Sequence, residues 1–219
     1  MKNLRFHAAE IIRILKKQYP DSKIALNYGD IFQLVVAVIL SAQCTDVRVN
    51  RVTPALFKRF PRVQDFAECD VHELEKLIYS TGFYKNKAKN IKGAAAKVVV
   101  EFGGKVPGTM QELLSLPGVA RKTANVVLSS GFGLSEGIVV DTHVARICGL
   151  LGLVPKKMSE AKNAVKIEKI LVKLVPRKDW GIFSFLMIDH GRAICVARRP
   201  KCGICPLNGI CPSARVVKE

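Results

Sequence analysis

Apolar residues recur three or four positions apart along most of the chain, which is the spacing of one face of an α-helix. Residues 1–20 have this pattern and predict an amphipathic helix. The longest uninterrupted apolar run, Leu34–Leu40, is too short to cross a bilayer and predicts a buried helix, so we expect no membrane segment. Alternating apolar and polar positions are scarce, and the best candidate for a strand, 137–140, is short. The pattern therefore predicts an all-α protein.

Helix starts are marked by a capping residue followed three positions later by Glu or Gln. Three such pairs precede apolar-periodic stretches: Asp30 with Gln33, Asp70 with Glu73, and Thr109 with Glu112. We expect prolines to punctuate the chain between helices, at Pro54, Pro61, Pro107 and Pro155. The sequence has no internal repeat or long linker, and so shows no domain boundary of its own.

The chain is strongly basic, with 35 Lys and Arg residues against 18 Asp and Glu residues and a formal charge of +17. This excess indicates a polyanionic partner, because each neutralised phosphate releases condensed counterions. Charge by itself does not separate DNA from RNA, and a ribosome-associated or merely basic protein is the alternative. The N-terminal stretch lacks the order of residues typical of a signal peptide, so we expect a cytoplasmic protein, nucleoid-associated if prokaryotic.

Four of the seven cysteines fall close together near the end of the chain: Cys195, Cys202, Cys205 and Cys211. In a reducing compartment such a group indicates metal or cluster ligation rather than disulfides. Four thiolates can hold a tetrahedral zinc ion or a 4Fe-4S cluster. Structural zinc sites commonly use two Cys-x-x-Cys pairs, and the single pair in this spacing favours the cluster. The other three cysteines are expected to be small buried residues: Cys44, Cys69 and Cys148.

The segment Glu112–Leu128 predicts a helix, a tight turn and a second helix, because Pro117 ends one helical pattern and Gly118 allows an unusual backbone angle. A glycine turn that opens a helix exposes backbone N–H groups, which can bind a DNA phosphate without reading any base. On these residues alone, an ordinary helical hairpin with a Pro-Gly turn is an equally good interpretation.

Several motifs, in order, make the chain similar to the endonuclease III family. They are Leu-Pro-Gly-Val-x-Arg-Lys-Thr-Ala-Asn-Val-Val at 116–127, Val-Asp-Thr-His at 140–143, the four C-terminal cysteines, Leu40–Asp46 and Gly82–Ala88. The resemblance covers nearly the whole chain. One position departs from it, since the family hairpin usually has a second glycine where this chain has Ala120. Its methyl group should crowd a phosphate slightly and leave the N–H available.

The resemblance implies the helix–hairpin–helix DNA glycosylase fold, all-α and divided into two domains. Residues 23–136 would form a six-helix barrel domain that contains the hairpin. Residues 1–22 and 137–219 would form an iron–sulfur cluster domain, with a DNA-binding groove between the two domains. The cysteine spacing matches the family's cluster loop, which implies a 4Fe-4S cluster. We expect a monomer, because the sequence has no heptad repeat or oversized apolar stripe.

Lys122 and Asp141 are the catalytic residues that the resemblance implies. A lysine amine that attacks C1′ of the sugar displaces the base and forms a Schiff base, which an oxygen nucleophile cannot do. Because lysine is protonated in water, we expect partial burial or a nearby cation such as Arg121 to favour the neutral amine. Asp141 would help to activate the lysine, and its place in the sequence also predicts a helix N-cap. His143 is left outside the catalytic set.

Further residues are implied to contact double-stranded DNA, since a damaged base must be rotated out of the duplex before it is attacked. Gln43 would fill the vacated space and Phe83 would wedge beside the opposite strand. The alternatives are a polar residue at a helix C-terminus for Gln43 and a core phenylalanine for Phe83. The hairpin would contact DNA through Leu116, Gly118, Val119, Ala120 and Arg121. A basic loop between the first two cluster cysteines would add phosphate contacts from Arg198, Arg199 and Lys201.

The implied activity is base-excision repair on DNA that contains damaged bases or abasic sites. A bifunctional DNA glycosylase and AP lyase would release oxidised pyrimidines and cleave 3′ to the abasic site by β-elimination. One alternative is a uracil- or mismatch-specific relative, which Lys122 argues against because monofunctional relatives generally lack the lysine. The other is a non-catalytic DNA-binding or redox-sensing cluster protein that uses the hairpin only to bind DNA.

Overall fold

The structure, a computed structural model, describes residues 2–215, and within them it contains helices and loops but no strand. The segment 137–140, the best sequence candidate for a strand, is a loop. The prediction of an all-α protein is therefore confirmed. No helix in the described range is long and apolar enough to cross a membrane. Residue 1 and residues 216–219, which belong to the predicted cluster domain, lie outside the described residues.

The helices follow one another with short connections. In chain order they are α1 (Lys2–Gln18), α2 (Ile31–Ser41), α3 (Asp46–Arg59), α4 (Val63–Glu68), α5 (Val71–Ile78), α6 (Tyr84–Phe102), α7 (Met110–Leu114), α8 (Arg121–Gly131), α9 (Thr142–Leu150), α10 (Lys156–Glu160), α11 (Ala164–Leu174) and α12 (Trp180–Ala193). Short 3-10 helices span Tyr79–Thr81, Arg177–Asp179, Cys202–Ile204 and Asn208–Ile210.

The chain folds into two compact units. One unit is Ala25–Leu134, and the other is made of the described residues up to Ile24 and from Ser135 onward. The chain thus begins in one unit, builds the other and returns. That these units act as a barrel domain and a cluster domain stays a prediction.

In the Ala25–Leu134 unit, α2 is the central helix. Its sequence is apolar on every side, which suits a helix surrounded by others, and Leu34, Val35 and Val36 are fully buried. α2 packs against α3, α6 and α8, while the long helix α6 packs against α4 and α5. This packing sets the positions of three connecting segments: the loop after α2, the turn before α6 and the hairpin between α7 and α8.

The other unit has its own core, built from one face each of α1, α9, α11 and α12. Ile11, Val144, Leu171 and Phe183 are fully buried members of this core. The predicted amphipathic helix at the N-terminus is therefore confirmed as α1, because its apolar face packs into this unit. An ion pair of 2.5 Å between Lys16 and the buried carboxylate of Asp179 holds the end of α1.

The predicted helix starts are confirmed by their capping bonds. Side-chain oxygens of the three N-cap residues accept backbone N–H groups in the first turn, from Gln33 to Asp30, from His72 to Asp70 and from Glu112 to Thr109. Two other expectations were wrong. Pro54 lies inside α3, whose buried face continues through Thr53 and Leu56. Cys44 is only half-buried because α2 ends at Ser41, whereas Cys69 and Cys148 are buried as predicted.

Candidate functional site

The segment predicted as a hairpin is two helices, α7 and α8, joined by a tight turn. Thr109 caps α7, and backbone N–H groups of Leu116 and Val119 donate to the carbonyls of Leu113 and Leu116. The side chains of Leu116 and Val119 are buried in the core. The side chains of these two residues are therefore not available to DNA, and their N–H groups already have partners within the hairpin, so their predicted DNA contacts stay a prediction.

Gly118 has a conformation and surroundings that only glycine accepts without strain. Its φ is +78°, in the left-handed region that disfavours residues with a Cβ. A Cβ built at this position would lie 2.8 Å from Cβ of Asn90 on α6, closer than real contacts of this kind. The hairpin turn is thus pressed against α6, which fixes its position within the unit.

Ala120 is the N-cap residue of α8 and has an extended backbone, with φ of −88° and ψ of 169°. Any residue adopts this conformation, so alanine in place of the family's usual glycine introduces no strain. Alanine also supplies no side-chain acceptor to the first turn of α8. The N–H groups of that turn, at the positive end of the helix dipole, are consequently suited to bind an anion such as a phosphate.

Lys122 is the second residue of α8, and its side chain is exposed. The expectation of partial burial is therefore wrong, while the alternative, that a nearby cation such as Arg121 favours the neutral amine, stays a prediction. α8 packs Ala124, Val127 and Leu128 into the core and leaves its first turn outside. The amine is accessible to a substrate.

Asp141 is the N-cap of α9, as predicted, and its Oδ1 accepts the N–H of Val144 at 2.8 Å. The carboxylate is half-buried and is fixed at the rigid start of a helix. One hydrogen bond uses only part of the acceptor capacity of a carboxylate, so the group can also accept a proton or face a cation. Lys122 belongs to the Ala25–Leu134 unit and Asp141 to the other unit.

His143 is a packed side chain, and its exclusion from the catalytic set stays a prediction. Its Nδ1 is buried and has no hydrogen-bond partner within the described part of the chain. A Cβ at Gly191 of α12 would lie 2.6 Å from that nitrogen, so the absence of a side chain at Gly191 makes room for the imidazole.

Gln43 and Phe83 share an unusual backbone conformation. Their φ values are +53° and +49°, and among the described residues only one other non-glycine residue, Lys162, has a positive φ. The side chain of Gln43 is exposed, and that of Phe83 is 63% exposed at the N-cap of α6. Phe83 is therefore a surface residue, and the alternative of a core phenylalanine is wrong.

The four C-terminal cysteines line one cavity of about 160 Å³ in their unit. A single zinc ion, with Zn–S bonds of about 2.3 Å, would draw the sulfur atoms to within about 4 Å of one another. No group of three or more His, Cys, Asp or Glu side chains in the described residues is placed to hold one metal ion. A cavity surrounded by four separated thiols instead fits a larger inorganic cluster.

Two side chains beside this cavity were not predicted from the sequence. Arg146 of α9 lies 3.6 Å from Sγ of Cys195, and Nε2 of His190 lies 3.6 Å from Sγ of Cys205. Burial, with a smaller contribution from Arg146, lowers the pKa of His190 to about 4, so the imidazole is neutral at pH 7. Neither residue carries a sequence signal of its own, because both come to the cavity through helix packing.

The basic loop between Cys195 and Cys202 places its predicted DNA contacts on the surface. Arg198, Arg199 and Lys201 are all exposed. The backbone N–H of Lys201 donates to the carbonyl of Ile194, and its Nζ to that of Ala193 at 3.2 Å. These bonds tie the end of the loop back to the end of α12.

Comparisons with known proteins decide the family. Residues 36–177 match the HhH-GPD superfamily of base excision DNA repair proteins, and residues 195–211 match the iron–sulfur binding domain of endonuclease III. A Synechocystis sp. protein named Endonuclease III is 54% identical over 215 residues, covering 98% of this chain and 96% of that protein. The chain belongs to the endonuclease III family. It is accordingly a base-excision repair enzyme, a DNA glycosylase with AP lyase activity, and the second match makes its cysteine loop an iron–sulfur site.

Solved structures of endonuclease III share the fold. A non-covalent endonuclease III–DNA complex has a TM-score of 0.85 at 40% identity, covering 97% of this chain and 95% of that one. A trapped endonuclease III–DNA covalent intermediate, described as an estranged-adenine complex, has the same TM-score and identity, with coverage of 97% and 96%. The predicted helix–hairpin–helix glycosylase fold is therefore confirmed.

Proposed function

We propose that this member of the endonuclease III family releases oxidised pyrimidines from double-stranded DNA and cleaves the strand 3′ to the resulting abasic site. The observation that carries the proposal is the exposed amine of Lys122 on the first turn of α8, directly after the hairpin. An amine in that place provides imine chemistry, which separates a bifunctional enzyme from a monofunctional one.

The hairpin would bind the DNA backbone without reading sequence. N–H groups of the first turn of α8, beginning at Ala120, would donate to a phosphate at the positive end of that helix. Arg198, Arg199 and Lys201 would contact further phosphates from the cysteine loop. Because the chain carries a formal charge of +17, these contacts add to a general attraction for DNA.

Rotation of the damaged nucleotide out of the duplex would leave a gap and an unpaired partner base. The amide of Gln43 can hydrogen-bond that base, and the exposed ring of Phe83 can stack beside the opposite strand. Both side chains project from turns rather than from flat helix faces, as insertion into a base stack requires.

In the reaction, Nζ of Lys122 would bond to C1′ while the bond from C1′ to the base breaks and the base leaves with the electron pair. Nζ then loses one proton, the bond from C1′ to O4′ breaks with O4′ taking up a proton, and an iminium forms between Nζ and C1′. Loss of a proton from C2′ expels the 3′ phosphate, and water releases the lysine. Asp141 would accept the proton that the Lys122 ammonium must lose and would offset positive charge on the sugar.

The four cysteines, as thiolates, would hold a 4Fe-4S cluster, whose role would be structural or redox-tuning and not hydrolytic. We further propose that residues 23–136 act as the barrel domain and that residues 1–22 with 137–219 act as the cluster domain. The enzyme would act as a cytoplasmic monomer, nucleoid-associated if prokaryotic.

Borohydride trapping tests the proposed reaction, because it reduces the iminium to a stable protein–DNA adduct. The substrates are a duplex with thymine glycol and a duplex with a preformed abasic site. We expect adducts on both with the wild-type protein and with Lys105→Ala, an exposed-lysine control in the same unit, and none with Lys122→Ala. An adduct on the abasic duplex alone would contradict the oxidised-pyrimidine specificity, and no adduct on either would contradict the lyase mechanism.

A further inference from the structure

Lys87 is a buried cation to which the proposed reaction gives no role. It lies on the first turn of α6, in the segment Gly82–Ala88, and its side chain is only 5% exposed. Lysine is rarely buried to this extent, since removing an ammonium from water is costly unless its hydrogen bonds are replaced. Burial also lowers the pKa of Lys87, in keeping with this cost.

The ammonium of Lys87 bridges two separate segments. Nζ donates to the carbonyl of Leu40 and to the carbonyl of Thr81, each at 2.8 Å. Leu40 is in the last turn of α2, where a carbonyl has no partner within the helix and the dipole favours a cation. Thr81 ends the 3-10 helix that precedes the turn before α6.

Each bridged segment leads directly to a residue with a left-handed backbone. Leu40 is three residues before Gln43, and Thr81 is two residues before Phe83. The backbone N–H of Lys87 also donates to the carbonyl of Phe83, at 3.1 Å. The bond to Phe83 is the first helical bond of α6 and does not depend on the side chain. The ammonium of Lys87 adds a link between the start of the Gln43 loop and the segment just before Phe83.

We propose that Lys87 is a positioning residue for base extrusion: its ammonium joins the two turns so that Gln43 and Phe83 enter the duplex in a fixed relation to each other. This inference rests on the proposed function, in which these two side chains fill the gap and wedge the opposite strand. Left-handed turns at non-glycine residues are strained, and they persist only where the surrounding structure holds them. Lys87 supplies that restraint for both turns.

The structure offers a matched control on the same helix. Nζ of Lys92 donates to the carbonyl of Cys69 at 2.6 Å, so Lys92 also ties α6 to a backbone carbonyl. Cys69 follows α4 and is remote in sequence from Gln43 and Phe83. Lys92→Met thus removes a similar interaction and leaves the two turns as they are.

The test compares a substrate that needs a gap to be filled with one that does not. Single-turnover excision is measured on a thymine glycol duplex, and borohydride trapping on a single-stranded abasic oligonucleotide. We expect Lys87→Met to slow the duplex reaction by about tenfold to a hundredfold, which is the range for losing hydrogen bonds from a buried charge. Trapping on the single strand should change by less than about threefold. Lys87→Gln, which keeps a hydrogen-bond donor, should recover part of the duplex rate. In Lys92→Met, the ratio of the duplex excision rate to the single-strand trapping rate should equal that of wild type.

A multiple-mutant comparison separates positioning from general stability. In a protein that already carries Gln43→Ala and Phe83→Ala, adding Lys87→Met should slow duplex excision by less than about a further threefold, because Lys87 acts through those two side chains. The proposal would be overturned if Lys87→Met slowed duplex excision as much in that background as in the wild-type protein, or if it slowed the reactions on both substrates equally.

Backbone amide hydrogen exchange tests the same inference without measuring activity on DNA. In Lys87→Met, or in Lys87→Gln if the first variant does not fold, backbone amides of the Gln43 and Phe83 turns should exchange faster together, and in Lys92→Met they should not. Unchanged exchange in both turns would overturn the role of Lys87. Wild-type protein that is inactive on both substrates would instead overturn the proposed function, while the exchange result would still decide the role of Lys87.

Discussion

A Cβ at Gly118 would lie 2.8 Å from Cβ of Asn90, so the hairpin turn and helix α6 meet where only a glycine fits. We predict that Gly118→Ala destabilises the protein by about 2–4 kcal/mol, the sum of backbone strain at φ +78° and displacement of Asn90. Urea unfolding measures this loss. DNA affinity should fall as well, because the N–H groups that follow the turn move.

Gly108→Ala is the matched control for that prediction. A Cβ at position 108 would have its nearest contact at 3.6 Å, an ordinary distance, on the ring of Phe132. Its stability and its binding to an abasic-analogue duplex should remain close to wild type. Equal effects of the two substitutions would contradict a specific requirement for glycine in the hairpin.

Asp141 combines a capping role with a proposed catalytic role, and two substitutions separate them. Asp141→Asn keeps an oxygen that can accept the N–H of Val144 but removes the negative charge. We predict that it lowers single-turnover excision by about a hundredfold or more and leaves stability within about 1 kcal/mol of wild type. Asp141→Ala should lose activity to a similar extent and about 1 kcal/mol of stability, because the cap is lost too. An active Asp141→Asn enzyme would contradict the catalytic role.

The local features of the fold were predictable from the sequence because they depend on neighbouring residues. Asp30, Asp70, Thr109 and Asp141 all cap the helices that follow them, since a capping bond spans only two or three residues. Pro54 was wrongly predicted to lie between helices, because its position depends on residues that are distant in the sequence. The burial of one face of α3 outweighs the lost hydrogen bond, and burial is set by the rest of the unit.

The candidate site was predictable as far as its motifs extend. Lys122 and the cysteine loop lie in sequence patterns that mark the family, whereas Lys87, Arg146 and His190 take their roles from packing. The exposure of Lys122 was also mispredicted, because a position in the first turn of a helix can face either way. Only the contacts of α8 with its neighbours decide that direction.

Loss of one cluster cysteine should destabilise the unit that contains the loop. Cys205→Ser is predicted to lower iron and sulfide content and to cost several kcal/mol of stability, because the binding energy of a structural metal group contributes to folding. Cys44→Ser is the control, since Cys44 is half-buried in the other unit. Unchanged iron and sulfide content in Cys205→Ser would exclude Cys205 as a ligand.

The basic loop should contribute to DNA affinity mainly through charge. Arg198 and Arg199 are exposed, and each is proposed to neutralise one phosphate. In Arg198→Ala with Arg199→Ala, the slope of log affinity against log salt should become shallower by about 2, while Lys105→Ala leaves it nearly unchanged. A slope equal to that of wild type would place the loop away from the DNA.

The most direct test of the central claim is to locate the covalent bond on the chain. The borohydride-reduced adduct on a thymine glycol duplex is digested with nuclease and protease, and the modified peptide is sequenced by mass spectrometry. We predict a single modified residue, Lys122, in the peptide that contains the start of α8. Modification of another lysine or of the N-terminal amine would contradict the assignment of Lys122 as the nucleophile.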